Sequence, residues 1–295
     1  MQVLSVTMSI SPQLGREHHV DIPDGAISYR DNGEGPPIVF VHGVGVNGDL
    51  WRHVAPHLAG SHRCITPDLP WGSHSIPLHP DADLSLPGMA RITADFLAAL
   101  DLDNVTIVAN DTGGAVAQAL VGRHPDRIAR LVLTSCDAFE NFPPTPQKYL
   151  EVMARSRLLT WIVAYTAQFK PIQRLPTAYG FVTSRAMPDE IMRSFTGPVR
   201  LNPGVRRDFR RMLRAVDTRY TFEAAARLDG FDKPALVLWG ENDKIFPRDH
   251  GRRLAKLLPQ ARFELIAGSR TFIPEDQPDR LVTAIEDFLA AHPTE

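Results

Sequence analysis

The chain has 295 residues, 43% of them hydrophobic and 22% charged, and its 32 basic side chains against 34 acidic ones leave a formal charge of −2. That length buries a large core, so one principal domain with an insertion is expected. The small net charge gives no ground for a nucleic-acid or membrane partner, and nowhere do about 18 consecutive apolar residues occur, as a membrane-crossing helix requires.

The first ten residues, M-Q-V-L-S-V-T-M-S-I, carry neither a basic start nor a sustained apolar run, so a cytoplasmic rather than a secreted protein is expected. Residues 18–22 and 26–30 alternate around Pro23-Asp24-Gly25 and predict a hairpin. Residues 37–41 form a continuous apolar run, as in a central strand covered on both faces, and end at His42-Gly43. A helix at 50–59 leads to a short strand at 63–66 and a long Pro-rich loop over 67–87 that carries His74 and His79. Cys64 and Cys136 each fall at the end of an expected buried strand, where a reduced thiol behaves as a small hydrophobe. Met89, Ile92, Phe96, Leu97 and Leu100 recur at helical spacing and predict a packing helix.

Residues 105–114 read V-T-I-V-A-N-D-T-G-G: a buried strand that stops at a carboxylate and two glycines, with a helix expected over 115–123. Asp111 thus stands at a strand-to-helix corner, with Ala109 and Gly113 at the positions where a sharp turn tolerates no bulk. On this stretch alone it is either a helix-capping aspartate or the reactive residue of a nucleophile elbow that has aspartate where serine is expected.

A further buried strand at 128–135 ends in Cys136-Asp137, after which the β-α alternation breaks. Residues 138–228 are helical in pattern, with segments near 148–169, 190–195 and 204–216, and predict a helical cap inserted into a core of residues 1–137 and 229–295. Ligands of parallel sheets bind at the strands' carboxyl ends, so the cap is expected to act as a lid. Met153, Leu158, Leu159, Trp161 and Ile162 are expected to line its underside, while Arg206, Arg207, Arg210, Arg211 and Arg214 read as a solvated face. The sheet resumes at 235–239, followed by Gly240-Glu241-Asn242-Asp243, a helix, a last strand at 262–266 and an amphipathic helix carrying Leu281, Ile285, Phe288 and Leu289.

Four stretches, H-G-V-G-V-N-G-D-L-W-R, A-N-D-T-G-G-A, W-G-E-N-D and I-P-E-D-Q-P, stand in the order and spacing of the α/β-hydrolases, and the chain resembles that superfamily over nearly its whole length. The resemblance implies an α/β-hydrolase fold, a mostly parallel eight-stranded sheet flanked by helices, with an inserted cap. With Asp111 at the elbow the chain looks most like the haloalkane dehalogenase and epoxide hydrolase branch, in which a carboxylate attacks carbon and forms an ester. By the same resemblance the backbone N–H groups of Val44 and Thr112 form the anion hole, and His42 and Gly43 shape the loop beside it. The family's acid falls on Asp243, directly after the strand that follows the cap; some dehalogenases place it before the cap, which is Asp137 here. The family's histidine base falls on Thr271, in the slot fixed by Phe272, Glu275, Asp276 and Pro278. The side-chain halide donors of dehalogenases are replaced by Val44 and Thr112, and the H-G-x-P of epoxide hydrolases by His42-Gly43-Val44-Gly45; the arginine that follows the nucleophile in fluoroacetate dehalogenases is missing. Tyr149, Tyr165, Tyr179 and Tyr220 are the cap tyrosines able to polarise an epoxide oxygen.

The expected function is hydrolysis of a small, largely apolar organic molecule with Asp111 as nucleophile, without cofactor or metal. That small molecule is the expected partner, with no nucleic acid and no membrane, on a monomer or homodimer. A threonine hydroxyl has no useful basicity near neutral pH, which raises two rivals. In one, Asp111 is a general acid or base in a lyase, isomerase or cyclase reaction and Thr271 orients the substrate; in the other, the chain is a catalytically silent binding protein. A histidine-to-threonine change made to trap an intermediate gives the same sequence, and among the loop residues His74 is the candidate substitute base.

Overall fold

A computed structural model describes residues 10–294. Eight strands form one sheet in the order β1-β2-β4-β3-β5-β6-β7-β8. The expected hairpin is β1 (Arg16–Ile22) and β2 (Gly25–Asn32), and β2 pairs antiparallel with β4 (Arg63–Pro67). Through β3 (Pro37–Val41), β5 (Val105–Asp111), β6 (Ile128–Cys136), β7 (Ala235–Gly240) and β8 (Ala261–Ile266) every further pairing is parallel. The β-branched runs of β3, β5, β6 and β7 sit at its centre with almost every residue buried, as a sheet covered on both faces requires. Cys64 and Cys136 are buried free thiols.

The helix expected at 50–59 is shorter: a single turn at Gly48–Trp51, capped by the Asn47 side chain, precedes α1 (Ala55–Leu58). α2 (Leu86–Ala99) and α3 (Thr112–Arg123) follow as expected and pack on each other. Six helices lie between β6 and β7: α4 (Tyr149–Ala154), α5 (Arg157–Thr166), α6 (Lys170–Gln173), α7 (Asp189–Leu201), α8 (Pro203–Arg214) and α9 (Thr218–Ala225). The single helix expected at 148–169 is broken at Ser156, whose extended backbone and hydroxyl, accepting from the Leu159 N–H at 3.3 Å, start a new helix. α9 packs on α3, so the last turns of the expected 138–228 insertion lie against the core. α10 (Arg248–Leu257), α11 (Ile273–Asp276) and α12 (Pro278–Ala291) complete the chain.

Two expectations about the cap are corrected. Leu158, Trp161 and Ile162, expected on its underside, are 64%, 44% and 40% exposed, and α5 turns Thr160 and Ala164 inward instead. Periodicity shows that a helix has an apolar stripe but not which neighbour that stripe meets. Of the five α8 arginines expected as a solvated face, Arg214 is exposed, whereas three hold backbone carbonyls of α7 and of the loop over 67–87. Arg206 donates to the carbonyls of Val199 and Arg200 at 2.9 Å, Arg207 donates to Leu78 O, and Arg211 donates to Ala82 O at 2.6 Å. Backbone acceptors in an irregular Pro-rich loop have no sheet or helix partner, and guanidinium donors supply one.

At the centre, α3 begins against the end of β3: a Cβ at Gly113 would run into the carbonyl oxygens of Val41 and His42. Gly113→Ala is therefore expected to cost about 1–3 kcal/mol of stability, read as a lower urea midpoint at unchanged slope.

Candidate active site

β5 delivers Asp111 to the carboxyl edge of the sheet with φ 58° and ψ −134°. A non-glycine residue in the left-handed region costs about 1–3 kcal/mol and is held only by close packing around it. The packing is visible on both sides. A Cβ at Gly43 would meet the Asp111 side chain, and one at Gly114 would meet Cys136. The turn aims the carboxylate away from the strand and back over the first turn of α3. Asp111 Oδ1 accepts from the Thr112 N–H at 2.6 Å, and the Val44 N–H also holds the charged form.

His42, expected to be structural, is fully buried beneath this loop; its Nε2 accepts from the Leu69 N–H at 2.8 Å and its Nδ1 lies 2.8 Å from Gly43 O. Burial pushes its pKa down to about 3, so it is neutral and serves as a brace.

Two more carboxyl groups lie beside Asp111. Asp137, at the end of β6, is buried; its Oδ2 accepts from the Thr112 hydroxyl at 2.8 Å, and its Oδ1 has no hydrogen-bond partner among the described residues. Burial, with the Asp111 charge added, pushes Asp137 well above the usual carboxylate range. Asp243, after β7, accepts at Oδ1 from the N–H groups of Ile245 at 2.8 Å and Phe246 at 2.9 Å, and from the Thr271 hydroxyl at 2.9 Å. Burial raises it too, against those bonds. Thr271 is fully buried and bonded to Asp243, while its carbonyl accepts from Asn110 Nδ2 at 2.8 Å. The loop that carries it is pinned under the cap by Asp276, which accepts from the Thr183 hydroxyl at 2.8 Å and from the Ser184 and Arg270 N–H groups at 2.9 Å.

The carboxylate opens onto a cavity of about 170 Å³ between sheet and cap, lined mainly by apolar side chains, among them Phe142, Val163, Phe195, Phe209 and Phe272. Asp111, Thr112, Val44 and Asp137 line it; Asp243 and Thr271 stand behind that wall. Of the cap tyrosines, Tyr149 and Tyr179 line it, and the Tyr179 hydroxyl donates to Gly45 O at 2.6 Å. Tyr165 is exposed on the outer side of α5. No histidine, lysine or arginine belongs to the lining among the described residues. His74, the candidate substitute base, is buried elsewhere with Nε2 3.4 Å from Asp208, and His250 is buried with Nε2 3.2 Å from Glu140. No three described His, Cys, Asp or Glu side chains are disposed to hold a metal ion.

Residues 36–278, from the threshold of β3 to the start of α12, match the alpha/beta hydrolase fold family. The chain belongs to that family. A 2-hydroxymuconate semialdehyde hydrolase of Pseudomonas sp. (strain CF600) is 28% identical over 287 residues, 95% of this chain and 95% of that one. A cis-3-alkyl-4-alkyloxetan-2-one decarboxylase of Xanthomonas campestris pv. campestris is 28% identical over 92% of this chain and 94% of its own. A haloalkane dehalogenase of Mesorhizobium japonicum is 28% identical over 93% and 91%. As an α/β-hydrolase with relatives named hydrolases along its whole length, the chain is an enzyme of hydrolase type.

Sequence reading missed Asn110 and gave Asp276 and Tyr179 other parts, a marker of the Thr271 slot and a cap tyrosine facing substrate, rather than the bracing contacts they make here. Asn110 had a local signal, standing directly before the elbow residue. The other two act across more than 90 residues of chain, which no local pattern reveals.

Burial is the largest influence on Asp111 and raises its carboxyl to about 6, against the Thr112 and Val44 N–H groups that favour the anion. The group is therefore protonated below about pH 6 and ionised above it. Any step needing the carboxylate should fall about tenfold per pH unit below that point. The pH profile of Asp111 alkylation by a small electrophile measures it.

Proposed function

We propose that this α/β-hydrolase acts on a small, largely apolar organic substrate with Asp111 as nucleophile, in the manner of the dehalogenase and epoxide hydrolase branch. The observation that carries this reading is the hold on one carboxylate oxygen. Oδ1 accepts from the Thr112 N–H, and the Val44 N–H also bonds the carboxylate, at an elbow facing an apolar cavity, which leaves Oδ2, the oxygen Thr112 does not hold, as the attacking atom. Oδ2 bonds to an electrophilic carbon, and the leaving group departs with the bonding pair as halide or, from a strained ring, as an alkoxide that takes up a proton. Oδ1 becomes the ester carbonyl and remains on the Thr112 N–H, and the Thr112 and Val44 N–H groups then serve as the anion hole when water attacks. His42 and Gly43 hold that hole in place. Asp243 occupies the family's acid position and Thr271 its base position, so a neutral hydroxyl takes the hydrogen bond through which a histidine would be oriented. A hydroxyl does not remove a proton from water near neutral pH, so release of the ester is the slow step.

A second reading keeps Asp111 and removes the covalent step. With its carboxyl at about 6, Asp111 is poised as a general acid or base near neutral pH, and a relative of 28% identity is named a decarboxylase rather than a hydrolase.

Intact-mass measurement after exposure to a haloalkane, an epoxide and a β-lactone separates the two. The expected result is an adduct of one substrate fragment on Asp111, accumulating in the natural chain and absent in Asp111→Asn. Turnover without any adduct, lost in Asp111→Asn, would move the assignment to proton transfer; binding with neither adduct nor turnover would make the chain a ligand carrier. Installing the missing base tests the rest of the scheme: Thr271→His is expected to speed release of the adduct by about 10²–10⁴-fold, the usual contribution of a general base.

A further inference from the structure

The outer face of α5 combines two features that usually occur apart. Leu158, Trp161, Ile162 and Tyr165, spaced i, i+3, i+4 and i+7, form one exposed stripe, which Phe169 extends beyond the helix end. Trp161 stacks on Tyr165 with ring centres 5.3 Å apart, and Tyr165 meets Phe169 edge-on at 5.9 Å. A contiguous exposed apolar and aromatic surface on a folded domain marks a surface that meets something.

The charge around this stripe says what it meets. From 152 to 188 the sequence has five basic residues, Arg155, Arg157, Lys170, Arg174 and Arg185, and no acidic one. All five are exposed, and among the described residues only Lys170 makes an ion pair, with Asp189 at 2.7 Å. Beside Trp161 a shallow groove between α5 and α8 is lined by Arg157, Arg206 and Arg210. Burial, Arg214 and Arg157 together pull the Arg210 guanidinium below its usual range, as crowded cations do. The formal charge of −2 conceals this local concentration.

We infer that the outer face of α5 docks on an anionic phospholipid surface, with Leu158, Trp161, Ile162 and Tyr165 entering the headgroup boundary and Arg157 and Arg210 meeting lipid phosphates. Apolar and aromatic residues on one face with flanking cations are the composition of a helix that lies in a membrane interface. No helix among the described residues is long and apolar enough to cross a membrane, so the attachment is peripheral. A second copy of the chain is the poorer occupant: a two-fold dimer sets the same patch against itself, which here brings Arg157, Arg206 and Arg210 beside Trp161 against the same three cations. The placement serves the cavity as well. The opposite side of this segment, Val163, Ala164 and Ala167, lines the site, so a lipid surface holding apolar substrate lies one helix away from Asp111. The inference stands whatever bond Asp111 makes.

Trp161 is the only exposed tryptophan, Trp51, Trp71 and Trp239 being fully buried, so intrinsic fluorescence reads the docking directly. With vesicles of phosphatidylglycerol in phosphatidylcholine, co-sedimentation and a blue shift of Trp161 emission are expected; both should weaken as salt is raised and be absent with phosphatidylcholine alone. Each cation near such a surface is worth about a fivefold factor, so Arg157→Gln with Arg210→Gln should weaken binding about 25-fold. Leu158→Asp with Ile162→Asp should abolish it at unchanged thermal stability. Absence of binding to the anionic vesicles at low salt overturns the inference. So does equal binding to neutral vesicles, or a concentration-dependent dimer that Leu158→Asp dissolves.

Discussion

Everything in the site depends on the backbone turn at Asp111. Its left-handed conformation is intrinsically unfavourable for a residue with a side chain, so neighbours must impose it. They do so by close approach: Gly43 leaves room for the carboxylate itself, Gly113 for the carbonyls at the end of β3, and Gly114 for Cys136. Three glycines, one in the loop after β3 and two in the first turn of α3, therefore fix one carboxylate, and the same geometry turns the Thr112 N–H onto Oδ1. The strain is stored where the chemistry is proposed, against strands whose burial supplies far more stabilisation than the turn costs.

The electrostatics follow from that placement. Asp111, Asp137 and Asp243 gather at the ends of three adjacent strands, β5, β6 and β7, and no cation lines the cavity among the described residues. Desolvation raises all three, and each draws down its own share of hydrogen-bond donors in response: backbone N–H groups for Asp111 and Asp243, the Thr112 hydroxyl for Asp137. A histidine at position 271 would have placed a titratable donor among these acids. With Thr271 there, the groups of the site that titrate near neutral pH are carboxyl groups, so in the proposed scheme the release of an ester and not its formation is the difficult step.

The cap has two chemically different sides separated by a single helix. Inside, small residues of α5 complete an apolar cavity. Outside, larger apolar residues of the same helix face solvent among arginines and a lysine. The cap is anchored to the loop over 67–87 by α8 arginines and to the loop over 267–276 by Asp276, so both sides are held in register with the elbow.

The sequence alone determined the element order, the elbow and the roster of acids, because these rest on local grammar. An apolar run that ends at Asp-Thr-Gly-Gly can only be a strand meeting a helix, and four motifs in fixed order specify one fold. By resemblance it also set Thr271 where the family's histidine is expected, a position counted from Phe272 and Pro278. Which face of α5 points inward was decided only in three dimensions, because a stripe on a helix is fixed by spacing whereas its orientation is fixed by what packs beneath it. The same holds for His74, Arg207 and Arg211, whose partners lie more than 120 residues away in the chain. Only the tertiary structure could show that no histidine among the described residues returns to the cavity beside Asp111, since an imidazole from any loop could have been folded back there.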